Sequence, residues 1–354
     1  MKNIILSLIT FSFLVGDIQF SGDARFRPRY DIKENGDGSS TSDFYYMYRA
    51  RLNMKADIGE GWFFKTQLGT NSVAGMTKMG ILNEEESFSF NPSLSFMELY
   101  FGSMKADWGF WAGAFPLKYS AALDLHFYSD KLVDVPFVLF NNGSVGGFAG
   151  YRTIVGYKLN WFLSIDNNLI DREEFSDENI DPIDLFDHYT FGLDMFLTFG
   201  SVSVAPRLLT SFGGEEDDIF PMTIGADILL PKIAKFTTTM SYYSSIKGGM
   251  GDSDYYKADH MRLSLSRPIK SGKLKFFYDI ASKDDGLSMS IPDDNDLVEL
   301  EEVKDQVSYI WFSYTHTCYK GEMGEVTLSP TFRLQNGKNA GSIEFDPFNF
   351  PIIY

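Results

Sequence analysis

The sequence predicts an all-β chain folded as a transmembrane antiparallel β-barrel, with sixteen strands the best count and eighteen the alternative. Three observations lead there: long runs of period-two alternation, an aromatic-rich composition with no helical membrane span, and connections that alternate between short and long. The 354 residues include 33 Phe, 19 Tyr and 5 Trp, an aromatic share of 16%. Strands and membrane interfaces both favour such residues. Hydrophobic residues reach 44%, yet the mean hydropathy is slightly negative. A helical membrane protein needs apolar runs of about 18 residues or more, and the sequence has none. A transmembrane barrel hides its apolar content by alternating it with polar residues.

The alternation starts early. Ile18, Phe20, Gly22, Ala24, Phe26, Pro28 and Tyr30 form one face of a first strand, and Gln19, Ser21, Asp23, Arg25, Arg27, Arg29 and Asp31 the other. After a Gly/Asp/Ser-rich stretch, Phe44, Tyr46, Tyr48, Ala50, Leu52 and Met54 oppose Tyr45, Arg49, Arg51, Asn53 and Lys55. Soluble strands average about 5–6 residues, whereas a strand tilted across a bilayer needs about 9–11 in the hydrocarbon alone. These runs are long enough for the second role. Farther on, Phe236, Thr238, Met240 and Tyr242 oppose Lys235, Thr237, Thr239 and Ser241. The end of the chain alternates through Phe348, Phe350, Ile352 and Tyr354, with a bulge expected near Asp346-Pro347 because Ile343 and Phe345 hold the opposite parity.

Tight connections are expected at Gly59–Gly61, Lys105–Asp107, Lys158–Asn160, Gly200, Pro231-Lys232, Pro268–Gly272 and Lys320–Gly324. Longer, polar or acidic ones fall near 33–42, 72–93, 118–144, 171–185, 213–219, 246–256, 284–305 and 337–341. Short turns on one side and long loops on the other, with an even strand number, is the plan of outer-membrane barrels. An extra strand within 132–140 would raise the count to eighteen.

Residues 1–16 read as a signal peptide: Lys2 precedes an apolar run from Ile4 to Val15 that is too short to span a bilayer. That leaves 17–354 as a single barrel domain. The lone Cys318 can form no disulfide within the chain. A net charge of −17 argues against nucleic acid, whose binders carry a basic stripe. The acid is bunched in the long connections, at Glu84–Glu86, Asp171–Asp187, Glu215–Asp218 and Asp284–Asp305. No cofactor is expected; such runs could hold Ca²⁺ or Mg²⁺ loosely through carboxylate oxygens and bridge anionic lipid.

With its signal peptide, its opening strand Phe20-Ser-Gly-Asp-Ala-Arg-Phe-Arg-Pro-Arg-Tyr30, its rhythm of connections and its terminal aromatic Tyr354, the chain resembles the general porins and porin-like outer-membrane channels of Gram-negative bacteria. The likeness is architectural and covers the whole mature chain. The family usually ends in Phe, where this chain has Tyr354, and Pro351 is unusual so near that end. The resemblance implies passive diffusion of small hydrophilic solutes or ions through a water-filled pore in the outer membrane. It also implies a third external loop folded into the barrel, acidic loop residues facing arginines on the wall, and assembly as a homotrimer. The third long connection suits that role. It is apolar for a loop, with Leu123, Leu125, Phe127, Leu132, Val133 and Phe137, and carries Asp124, Asp130 and Asp134.

The arginines facing that loop should be Arg25, Arg27, Arg29, Arg49 and Arg51, with Lys55 and Lys65 continuing the lining. A first hairpin pairing residues that sum to about 76 sets Arg25 opposite Arg51 and Arg27 opposite Arg49, and a turn at Gly59–Gly61 sets Arg51 against Gly69. A register shift by two would pair Arg51 with Asp23. Like charges face to face cost stability, so a basic patch at mid-barrel implies water, acid or solute in front of it. An enzyme reading is thin. His126, His188, His260 and His316 are scattered, His188 and His260 on inward faces, and no HExxH, GxSxG or phosphate-cradling loop is present. The competing readings are a surface structural or adhesive barrel plugged by its own loops and, more remotely, a barrel hydrolase.

Overall fold

A computed structural model describes residues 17–34, 39–70, 77–78, 94–116, 144–167, 188–213, 222–248, 255–283, 306–322, 324–338 and 352–353. All its regular structure is β, joined in one antiparallel sheet. Along the chain come β1 (Ile18–Glu34), β2 (Ser40–Gly59), β3 (Trp62–Thr70), β4 (Thr77–Lys78), β5 (Leu94–Met104), β6 (Trp108–Pro116) and β7 (Ser144–Ile154). They are followed by β8 (Tyr157–Asn167), β9 (His188–Met195), β10 (Leu197–Phe199), β11 (Val202–Gly213), β12 (Met222–Ile233) and β13 (Phe236–Gly248). The last are β14 (Tyr255–Ile269), β15 (Gly272–Lys283), β16 (Gln306–Gly321), β17 (Gly324–Leu328), β18 (Thr331–Lys338) and β19 (Ile352–Ile353).

Three neighbouring pairs share a partner strand. β3 and β4 both lie against β2, β9 and β10 against β11, and β17 and β18 against β16. Phe196 interrupts the second pair, and Ser329-Pro330 the third. Otherwise each strand pairs with the next in sequence. β19 pairs with β18 on one side and with Asp31 and Ile32 of β1 on the other. From Ile18 to Glu34, β1 is paired with β2.

Alternation sorts the two faces as the composition requires. The outward set of exposed residues includes Phe20, Phe26, Phe44, Tyr46, Trp62, Phe101 and Ile224. A continuous apolar surface of that extent belongs against lipid and not water. The opposite face carries the polar and charged residues, together with a sealed apolar sector: Phe63, Tyr100, Phe115, Val145, Ala149 and Phe162 are all buried.

At several inward positions a ring lies over a glycine on the neighbouring strand. Gly109 is paired with Tyr151, Gly192 with Phe162, and Gly225 with Tyr243. In each case a Cβ on the glycine would run into the ring, the glycine–aromatic fit that stabilises strand pairs.

Five of the expected tight turns stand where the sequence put them, and two move. The turn expected at Lys158–Asn160 is at Val155-Gly156, and the one expected at Pro231-Lys232 is at Ala234-Lys235. Pro231 and Lys232 sit instead in a register irregularity between Leu230 and Ile233. Both turns use positive φ at their two central residues (51° and 81°, then 50° and 68°), the geometry of a two-residue hairpin. Valine, alanine and lysine are poor markers for it.

The first hairpin also departs from expectation. Its residues sum two lower than the expected register, so Arg25 faces Arg49, Asp23 faces Arg51 and Arg27 faces Met47. The shifted register brings a carboxylate to the arginines and removes part of the like-charge cost. Arg51 faces Gly69 as expected, but the space there is occupied: a Cβ on Gly69 would collide with Met97 Sδ. The signal peptide, the third connection with its alternative strand at 132–140, and the alternation before Ile352 lie outside the described residues.

Candidate functional site

The inward faces of β1, β2 and β3 hold a column of cations. Midway, Asp23 bridges two of them: Arg49 Nη2 is 2.9 Å from Asp23 Oδ1, and Arg51 Nε is 2.8 Å from Asp23 Oδ2. Arg25, directly opposite Arg49, is exposed. Arg27 is half-buried. Toward the long-connection end, Arg29 is buried, with Nε 2.8 Å from Asp31 Oδ1, and its guanidinium lies 5.7 Å from the ring centre of Tyr45. The Tyr45 hydroxyl donates to the other Asp31 oxygen at 2.7 Å. Arg29 is therefore a fastening of the wall.

Toward the short-turn end Lys55 and Lys65 face each other across β2 and β3. Two such charges side by side repel by about 1 kcal/mol even in water. Lys65 is steadied by the rings of Phe63 and Tyr100, whose centres lie 5.4 and 5.6 Å from its Nζ, a cation–π arrangement. Arg25, Arg27, Arg49, Arg51, Lys55 and Lys65 thus share one face and run along the strands. Asp124, Asp130 and Asp134 lie outside the described residues.

A second set of charges, on β8 to β15, was not singled out from sequence. Arg207 Nη2 is 3.2 Å from Asp227 Oδ2, and Tyr243 donates to Asp227 Oδ1 at 3.0 Å. Asp194 faces Arg207 in register and accepts from Asn160 at 3.2 Å. Farther along, Arg262 Nε and His260 Nε2 both reach Asp279 Oδ1, at 2.7 and 2.9 Å, and all three side chains are 2–3% exposed. These are closed ion clusters. His260, inward as its parity implies, is held in one of them. Beyond them β15 adds Lys273, exposed, and Lys275, half-buried, and Arg25 of β1 is near enough to repel Lys275. Among the described residues no group of three or more His, Cys, Asp or Glu side chains could hold a metal.

The sheet of long antiparallel strands that carries these charges has counterparts in known proteins. Residues 22–112 match the family of phosphate-selective porins O and P, a stretch well short of half the chain. The anion-selective porin from Comamonas acidovorans has a TM-score of 0.58 to this structure at 12% identity, with 95% of this chain and 97% of that chain covered. The chain has the fold of the outer-membrane porins.

The porin fold recurs in other solved structures. The in-vitro folded, trimer form of OmpT, an outer membrane protein from Vibrio cholerae, has a TM-score of 0.51 at 9% identity, over 94% of this chain and 97% of that one. The outer membrane channel DcaP of Acinetobacter baumannii has 0.50 at 11%, over 94% and 96%. At such identities the likeness is one of fold. No curated protein matches the chain. The matched stretch 22–112 contains every cation of the β1–β3 column. The matched family model and the solved structure from Comamonas acidovorans both describe porins.

Proposed function

We propose that this porin is a passive diffusion channel for small hydrophilic anions, phosphate among them, with its selectivity set by the cations of β1–β3 and β15. The observation that carries the reading is a contrast of charge. The chain as a whole has a net charge of −17, yet on the inner face the exposed or half-buried cations Arg25, Arg27, Arg49, Arg51, Lys55, Lys65 and Lys275 outnumber the acids beside them, Asp23, Asp57 and Glu98. A basic lumen wall concentrates anions and lowers their entry barrier. The phosphate-selective family match and the anion-selective porin of the same fold point the same way.

The barrel we propose is closed and sixteen-stranded. Nineteen segments with three interruptions give sixteen strands, and β19 pairs with both β18 and β1. An open sheet edge in a bilayer would leave backbone groups unpaired at several kcal/mol each. The sealed inward sector of β5–β8, where Phe115 and Phe162 are each 1% exposed, supports a third connection that folds in and packs its apolar residues there. Asp124, Asp130 or Asp134 would then face the arginines across the lumen. The proposal keeps the signal peptide at 1–16, loose Ca²⁺ or Mg²⁺ on the acidic external runs, and a homotrimer. The outward rings of β1 to β5, Phe26, Tyr46, Trp62 and Phe101, would meet a neighbouring copy in that trimer.

The test is a reversal potential across a planar bilayer in a KCl gradient. Wild-type protein is expected to favour chloride, and the double change Arg25→Ser, Lys275→Ser to move the potential toward the cation side. Absence of ion current would leave the plugged structural barrel, and a cation preference in wild type would remove the anion reading.

A further inference from the structure

One half-buried aromatic pair on the inner wall is set apart by parallel stacking, where Trp111 and Tyr151, also half-buried, lie at 53° to each other. Phe63, Phe115 and Phe162 face inward but are sealed at 1–4% exposure. Phe277 of β15 and Trp311 of β16, paired in register, are both half-buried and so keep surface toward the lumen. Their rings stack with centres 4.6 Å apart and planes 17° from parallel. Large rings facing water forgo about 1.5–3 kcal/mol each if wholly exposed, and a porin wall is ordinarily polar.

Two cations lie beside this stack. The Arg262 guanidinium lies 4.9 Å from the centre of Phe277 and is fixed by Asp279. Its Nη2 is buried with no hydrogen-bond partner among the described residues. Lys275 is the next inward residue on β15, diagonal to Trp311 and beside Ser313. Diagonal neighbours across a strand pair are about 7–8 Å apart, within reach of long side chains. Phe277 thus has the Arg262 guanidinium and Trp311 against it, and Trp311 is the member diagonal to Lys275, which has no ion-pair partner among the described residues.

We propose that Trp311, backed by Phe277, is a stacking platform for small organic anions with an aromatic ring, whose anionic group is taken by Lys275. The channel would then prefer aryl phosphates and aryl carboxylates to aliphatic anions of the same charge. Ring-on-ring contact supplies the preference and is worth about 0.5–1.5 kcal/mol beyond the area it covers. The inference rests on the anion-channel reading for the route by which such solutes arrive, and it goes beyond that reading in naming their chemistry.

The probes are phenyl phosphate and methyl phosphate, added to single channels carrying chloride current. Wild-type channels are expected to be blocked by phenyl phosphate at a concentration about tenfold lower. Trp311→Leu should bring the two probes within about twofold, while its reversal potential in KCl stays at the wild-type value. Lys275→Gln should weaken both probes and keep the preference for the aryl one. Equal block of wild-type channels by the two probes overturns the platform without any variant, and so does full discrimination in the Trp311→Leu channel. A cation-selective reversal potential alongside intact aryl discrimination would sink the anion-channel reading and leave the platform standing.

Discussion

The two arcs of the inner wall use the same residue types for opposite ends. On β8 to β15, Arg207, Arg262, Asp227 and Asp279 are closed into pairs, and the Arg262–Asp279–His260 cluster is almost wholly buried. On β1 to β3, Asp23 and Asp31 neutralise only part of the positive charge. Arg25 and Lys55 stay exposed, and Lys55 even faces another lysine. The first arc holds strands together, and in the proposed channel the second makes a field. Charge that is answered locally is structure, and charge left over reaches the solute.

The comparison breaks most readily at Asp279. Asp279→Asn removes the carboxylate serving Arg262 and His260, and stranding a buried charge costs about 3–5 kcal/mol. Urea unfolding in lipid vesicles should show a loss of that order with the ion preference of the surviving channels unchanged. An unaltered unfolding midpoint would mean that the β8–β15 arc is not structural. Asp23→Asn should behave in the reverse sense. Its side chain is 37% exposed, so the stability change should stay within about 1 kcal/mol. Arg49 and Arg51 are released to the lumen, and the KCl reversal potential should move farther toward the anion side. No movement would place those arginines outside the ion path.

Salt sharpens the contrast further. The Debye length is about 10 Å at 0.1 M and about 3 Å at 1 M, so the anion preference should fall as KCl is raised while the unfolding midpoint holds. A preference constant across that range would point to contact binding in place of a field. The smallest expected effect lies at a turn. Val155 has φ 51° and is 90% exposed. Val155→Asn should stabilise by about 1 kcal/mol, since a β-branched residue is strained in the left-handed region. The same urea series reads it, and a loss of stability would reject the strain.

The faces of the strands were legible because period two needs only residue types: the arginines of β1 and β2 fall on the side their parity assigns. The pairing of those strands was not, because the sequence between Glu34 and Ser40 offers two competing hairpin signals, Asn35-Gly36 and Asp37-Gly38, and a shift of two keeps every face intact. The turns at Val155-Gly156 and Ala234-Lys235 were missed because non-glycine residues adopt the left-handed geometry there. The ion clusters of β8–β15 were hidden for a different reason. Each strand contributes one or two charges, and only register brings Arg207 beside Asp194 or Arg262 beside Asp279. The signal available was parity, since Arg262 shares the inward side with Ser264 and Ser266.

The rings over glycines bear on how such a barrel assembles. Hydrogen bonds alone cannot tell a correct hairpin from one displaced by two residues, because every backbone donor finds an acceptor in both. Tyr151 over Gly109, Phe162 over Gly192 and Tyr243 over Gly225 can tell them apart. Displacement by two sets Tyr151 opposite Trp111 or Asp107, Phe162 opposite Thr190 or Asp194, and Tyr243 opposite Thr223 or Asp227, each with a Cβ where the ring must lie. Three strand pairs along the chain therefore carry their own check on alignment. A nascent wall can reject a slipped neighbour by shape while it is still incomplete, before ring closure makes the error permanent.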